Sequence, residues 1–131
     1  MGTRSTIAIE FADGTVQQVY CHWDGYLENN GKILATHYMD PFKVRDLVDL
    51  GGFSSLDTTV EGTGATAYTQ RGEDISIERF KNFADYRANH QYEEYEYILR
   101  QVDGKAVWFV ADHSDRYIPL TVALESVKEE A

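Results

Sequence analysis

The sequence predicts an α+β domain with a mainly antiparallel sheet. Three observations carry this: two stretches of period-two alternation that each meet an Asp-Gly pair and return, helical stripes between and after them, and no βαβ repeat. The chain has 131 residues, 43% hydrophobic and 13% aromatic, which is enough for one core and not for two. Residues 1–131 therefore read as a single domain, in which two β-hairpins carry three to four short helices packed on their sheet.

Ile7, Ile9 and Phe11 alternate with Thr6, Ala8 and Glu10 before Asp13-Gly14, a pair suited to a tight turn. A two-residue turn would set Phe11 against Val16, Ile7 against Tyr20 and Ser5 against His22 on one side. Ala8, Val19, Cys21 and Trp23 would then fall on the other. Leu27, Gly31, Leu34 and Tyr38 recur at four, three and four, a helical stripe with Asp24 placed near its start to cap it. Asp40-Pro41 marks a second helix start, Val44, Leu47 and Val48 form its apolar face, and Gly51-Gly52 ends it.

Residues 51–66 combine glycines with a Ser/Thr run and no period, the composition of a mobile loop. Ala67 to Gln70 reads as a brief third strand. Ser76 is placed to cap a helix with Ile77, Phe80, Phe83 and Ala84 on its dry side. Tyr95, Tyr97 and Leu99 alternate up to Asp103-Gly104, and a two-residue turn there sets Leu99 against Trp108 and Tyr97 against Val110. A last helix over 119–129 carries Leu120, Ala123, Leu124 and Val127 at helical spacing.

The formal net charge is −10, and the acidic excess is spread along the whole chain. Its plain meaning is solubility; its other consequence is repulsion from nucleic acid and anionic membranes and attraction to basic protein surfaces. Cys21 is the only cysteine, so no internal disulfide forms, and no apolar run has the length of a signal peptide or a membrane span. A cytoplasmic location is the expectation. There is no GxxxxGK[ST], GxGxxG, GxSxG or HExxH, so the enzyme classes with those signatures lose support, and neither an enzyme nor a cofactor is expected.

Two stretches hold the reactive side chains. In VYCHWDGYL, Cys21, His22, Trp23, Asp24 and Tyr26 crowd together; His22 and Asp24, with His37 and Cys21, offer donors suited to zinc. Convergence of His22, Trp23, Asp24, Tyr26 and His37 in one pocket would support a small metal- or ligand-binding enzyme. No CxxC or HxxxH fixes two ligands on one element, and strand alternation sends Cys21 and His22 to opposite faces, which argues against a thiol–imidazole pair. The second stretch, 92–97, sets Glu93, Glu94, Tyr95, Glu96 and Tyr97 side by side. Tyrosine gives contact area at low entropic cost and glutamate attracts a basic partner, so this strand is the expected partner-binding face. His113 reads as a solvated turn residue.

The string TRSTIAIEFADGT, then VYCHWDGYLENNGKIL and HY, RGED, YEEYEYILR, DG and VWFV, resembles a widespread family of small proteins encoded by tailed phages and prophages. The resemblance covers most of the chain, although residues 51–66 form a shorter segment than the family pattern has. It implies a setting and no catalytic residue. A small acidic phage protein without enzyme signatures looks like an accessory protein that binds host machinery. The function expected is stoichiometric inhibition of a host defence system of the restriction or CRISPR type, in part by acidic mimicry of nucleic acid. The partner would be a host complex with a basic or nucleic-acid-binding surface, without direct nucleic-acid or membrane contact. A homodimer through a strand edge is compatible with the sequence and not demanded by it.

Overall fold

A computed structural model of the protein describes residues 3–90, 93–112 and 116–130. Six strands form one mixed sheet: β1 (Ser5–Glu10), β2 (Val16–Cys21), β3 (Glu78–Phe80), β4 (Tyr95–Val102), β5 (Lys105–Asp112) and β6 (Ile118–Pro119), in the order β3-β2-β1-β4-β5-β6. Every pairing is antiparallel except β1 with β4, where the two hairpins meet side by side in parallel. Helices α1 (Lys32–His37), α2 (Pro41–Val48), α3 (Val60–Gly64), α4 (Phe83–Asn89) and α5 (Leu120–Glu130) complete the α+β domain.

The two hairpins turn differently although both carry Asp-Gly. In the second, Asp103 (φ 50°) and Gly104 (φ 79°) are both left-handed, the signature of a two-residue type I′ turn, and Leu99 faces Trp108 and Tyr97 faces Val110. In the first, the Phe11 N–H donates to Thr15 O (2.8 Å) and the Gly14 N–H to Phe11 O (2.9 Å), with Gly14 at φ 91°. That is a three-residue loop with a bulge glycine, held by the Asp13 carboxylate accepting from the Thr15 N–H and hydroxyl. The register expected from a two-residue turn is therefore off by one. Ser5 pairs Cys21 and Ile7 pairs Val19, so Val19 and Cys21 join Ile7 on one face instead of opposing it.

That face bears the main core. Ile7, Ile9, Tyr97, Leu99 and Trp108 from the strands meet Leu34 of α1, Leu47 of α2 and Leu120 of α5. Asp40 caps α2 by accepting from the Phe42 N–H, and Pro41 takes the first helical position. Three aromatic side chains tie loops to this core through polar tips: Tyr97 hydroxyl to Gly25 O (2.7 Å), Tyr38 hydroxyl to Asp57 O (2.7 Å) and Trp108 Nε1 to Tyr38 O (2.9 Å). The opposite face carries a smaller cluster of Ala8, Val16, Phe80 and Ile98 beneath Tyr86 of α4.

Several sequence expectations change. Asp24 caps nothing with its side chain; it takes φ 57°, and the chain enters α1 through a π-helical turn over Leu27–Gly31. Residues 51–66 are built, not loose: Thr59 Oγ1 caps α3, Thr63 is fully buried, and Phe53 bridges Cys21 on one side and Ala67 on the other. The short threonine hydroxyls satisfy backbone groups locally, which replaces the missing period. Tyr68–Arg71 is a 3₁₀ turn, not a strand. The third strand lies instead at Glu78–Phe80, because pairing with β2 takes these residues into the sheet, and α4 begins later, capped by Asn82, not Ser76.

Candidate functional site

The VYCHWDGYL corner separates its reactive groups. Cys21 ends β2 facing the core: its thiol lies 3.6 Å from Trp23 O and accepts from Asn30 Nδ2 at 3.4 Å. Burial pushes that thiol up, away from the thiolate form. His22 points the other way; its Nδ1 shares a 2.8 Å hydrogen bond with the Tyr20 hydroxyl, and its ring packs edge-on against Trp23. Asp24 is exposed, and its main-chain carbonyl accepts from Asn30 N–H and Asn29 Nδ2. Tyr26 and His37 are exposed, His37 at the C-terminal end of α1, where its carbonyl accepts from Lys43 Nζ. His22, Asp24 and His37 thus serve three separate local structures. Among the described residues no three His, Cys, Asp or Glu side chains gather as a metal set. Gly25 makes the corner possible: its N–H donates to Thr3 O at 2.7 Å, and a Cβ there would sit 2.6 Å from Ser5 Cβ.

The 93–97 strand is only in part a surface. Glu96 and Tyr97 are fully buried, because β4 lies between β1 and β5 and both of its faces are covered. These two residues therefore present nothing to a partner, a correction to the sequence reading. Glu93, Glu94 and Tyr95 are half-buried; Glu94 accepts from the Arg4 N–H at 3.0 Å, and burial raises the Glu93 carboxyl against the pull of Arg4. Tyr92 and His113 lie outside the described residues.

Glu96 instead belongs to a polar cluster beneath α4. Its carboxylate pairs with His90 Nε2, both side chains are fully enclosed, and His90 Nδ1 faces Tyr86 O. Partners at both ring nitrogens favour the imidazolium form of His90, while burial raises the Glu96 carboxyl against the pull of His90. Burial opposes the imidazolium charge, yet the hydrogen bonds to Glu96 and to the Tyr86 carbonyl outweigh it and raise His90. Tyr86 stacks on the imidazole at 4.3 Å, and the Tyr117 hydroxyl stands 3.5 Å from Nε2. The sequence contained a signal for this cluster. Tyr97-Ile98-Leu99 is continuously apolar, the mark of a strand buried on both faces, and a glutamate just before it needs a partner.

The most exposed large apolar side chains stand elsewhere. Phe42 is 68% exposed and Met39 59%, at the start of α2. Phe42 borders a shallow depression of about 380 Å³ between α2 and α3 with Asp40, Asp46 and Glu61 around it. The one lysine there, Lys43, is turned inward: its Nζ donates to His37 O at 2.7 Å and Thr58 O at 2.8 Å. Arg45 lies over the Phe42 ring at 5.3 Å. The result is an exposed aromatic with three carboxylates around it and two cations, Lys43 and Arg45, beside them. Its signal in the sequence was Met-Asp-Pro-Phe, an apolar pair astride a helix cap.

No family model matches the chain, and neither a curated protein nor a solved structure matches it. No described helix is long and apolar enough to cross a membrane.

Proposed function

We propose that the chain acts by binding a protein, as an accessory protein of a tailed phage or prophage that occupies a basic, nucleic-acid-binding surface of a host defence complex. The observation that carries this reading is the α2–α3 patch. A solvent-facing phenylalanine costs free energy in the isolated protein and becomes an anchor when a partner desolvates it. Asp40, Asp46 and Glu61 around it outnumber Lys43 and Arg45 by one charge, and Lys43 is held by two carbonyls and Arg45 by Asp46 and the ring, which favours a partner that brings Lys or Arg. The net charge of −10 extends the same preference over the molecule and speeds encounter with a cationic surface. The reading requires no turnover: the Cys21 thiol and the His22 imidazole at that corner serve local hydrogen bonds. The phage setting comes from the sequence resemblance.

The experiment is a plating assay on hosts that each carry one defined restriction or CRISPR system. Expression of the wild-type chain restores phage plating on at least one of them, and Phe42→Ala loses this while folding normally. Protection that persists undiminished in Phe42→Ala contradicts the assignment of the patch.

A further inference from the structure

A second surface borders the main core at α5. There α5 and the Leu27–Gly31 turn diverge over the ends of β4 and β5 and leave a groove of about 650 Å³, within the range of sites that take a ligand or an anchoring side chain. Its inner lining is apolar, from Leu27, Val110, Ile118, Ala123 and Val127. Val122 on its α5 rim is 49% exposed. The mouth is different in character: Tyr95 stands there with Glu28 and Asp112. Burial raises the Tyr95 hydroxyl first, and the Asp112, Glu28 and Glu94 carboxylates near it add to that rise. The Tyr95 and Tyr97 rings stack with centroids 6.4 Å apart. Arg116 borders the groove as well, so its charged lining is two carboxylates and one guanidinium, with Glu94 near the Tyr95 hydroxyl outside the lining.

An apolar trough with an aromatic face and a carboxylate-rich mouth is complementary to an apolar side chain followed closely by a cation. The trough takes the aliphatic part, while the ammonium or guanidinium lies among the carboxylates and near a tyrosine ring. We infer that this groove receives a segment of a protein partner that presents an apolar residue next to Lys or Arg. A second copy of the chain is a poor occupant, since it brings the same negative charge. The inference rests on the binding reading above for the kind of partner, but its place on the molecule is independent of the α2–α3 patch.

The test uses two short labelled amphipathic peptides with the same leucines, one carrying lysines and one glutamates, titrated by fluorescence anisotropy and mapped by amide chemical shifts. The Leu/Lys peptide binds, shifts amides of β5 and α5, and weakens as salt is raised; the Leu/Glu peptide does not bind. Val122→Arg, at an exposed position, weakens binding by about tenfold or more, and Glu28→Lys by about threefold to tenfold. Equal binding of the two peptides, shifts confined to α2, or unchanged affinity in both variants overturns the inference. So does a homodimer in sedimentation that Val122→Arg splits, since the groove would then be filled by a second copy. Peptide binding at the groove with no plating effect on any host leaves the groove standing and removes the anti-defence role. Plating protection without peptide binding does the reverse.

Discussion

Replacing Glu96 with leucine should unfold much of what holds α4 to the sheet. The variant removes the Glu96 carboxyl from His90 Nε2, in a site where neither side chain touches solvent. Removing one member of a buried pair typically costs about 3–5 kcal/mol, most of it the penalty of the orphaned partner. For a chain of this length an unfolding entropy of about 2.1 cal/mol/K per residue turns that into a fall of roughly 11–18 °C in Tm. His90→Phe keeps the stack on Tyr86 but strands the Glu96 carboxylate, and costs a similar amount. The double variant His90→Phe with Glu96→Leu removes both charges and keeps the volume, so it should lie within about 2 kcal/mol of wild type. Urea unfolding followed by tryptophan fluorescence, to which buried Trp108 and exposed Trp23 both contribute, measures all four proteins. Single variants that each cost under about 1 kcal/mol, or a double variant as damaged as the sum of the singles, would refute the pairing.

The same pair sets a pH dependence. His90 holds its proton more tightly in the folded state than in the unfolded chain, whose value is 6.5. Its own contribution is therefore whole below pH 6.5 and lost as pH rises through the higher folded value, and Glu96, raised from 4.5 by burial, acts in the same direction, so wild type should lose stability relative to the double variant as pH rises from about 4.5; parallel curves would count against the pair. Gly25→Ala should destabilise by about 1–3 kcal/mol in the same urea assay, since the new methyl meets Ser5 Cβ and Thr3 O with no flexible neighbour to yield. Cys21 should resist a thiol reagent in the native protein at pH 8 and react at once in urea, and rapid native labelling would show that the thiol is not enclosed as described.

What could be read from the sequence follows the range of the forces involved. Asp103-Gly104 set the second hairpin's register because a type I′ turn is decided by two residues, and the α2 boundaries followed from Asp40, Pro41 and Gly51. Asp13-Gly14 misled by one residue, because the Asp13 carboxylate bonding Thr15 favours a longer loop around the same dipeptide. The parallel join of β1 to β4 had no local trace: it links residues about ninety positions apart through main-chain pairing that only the folded chain brings together. That join makes β4 central, and a central β4 is what converts Glu96 from a surface carboxylate into half of a buried pair. The corner at Cys21 to Asp24 shows the opposite error, since neighbours in sequence were dispersed by strand alternation. Phe42 was visible only as a residue in the first turn of a helix, and its exposure needed the packing of α2 on the sheet to become evident.

The most direct test of the binding account is plating efficiency on the defence-bearing hosts with wild type and Phe42→Ala side by side, together with their urea midpoints. Equal midpoints are expected, because Phe42 is exposed, with protection by wild type lost by about tenfold or more in the variant. Unchanged plating on every host in the presence of the wild-type chain would contradict it.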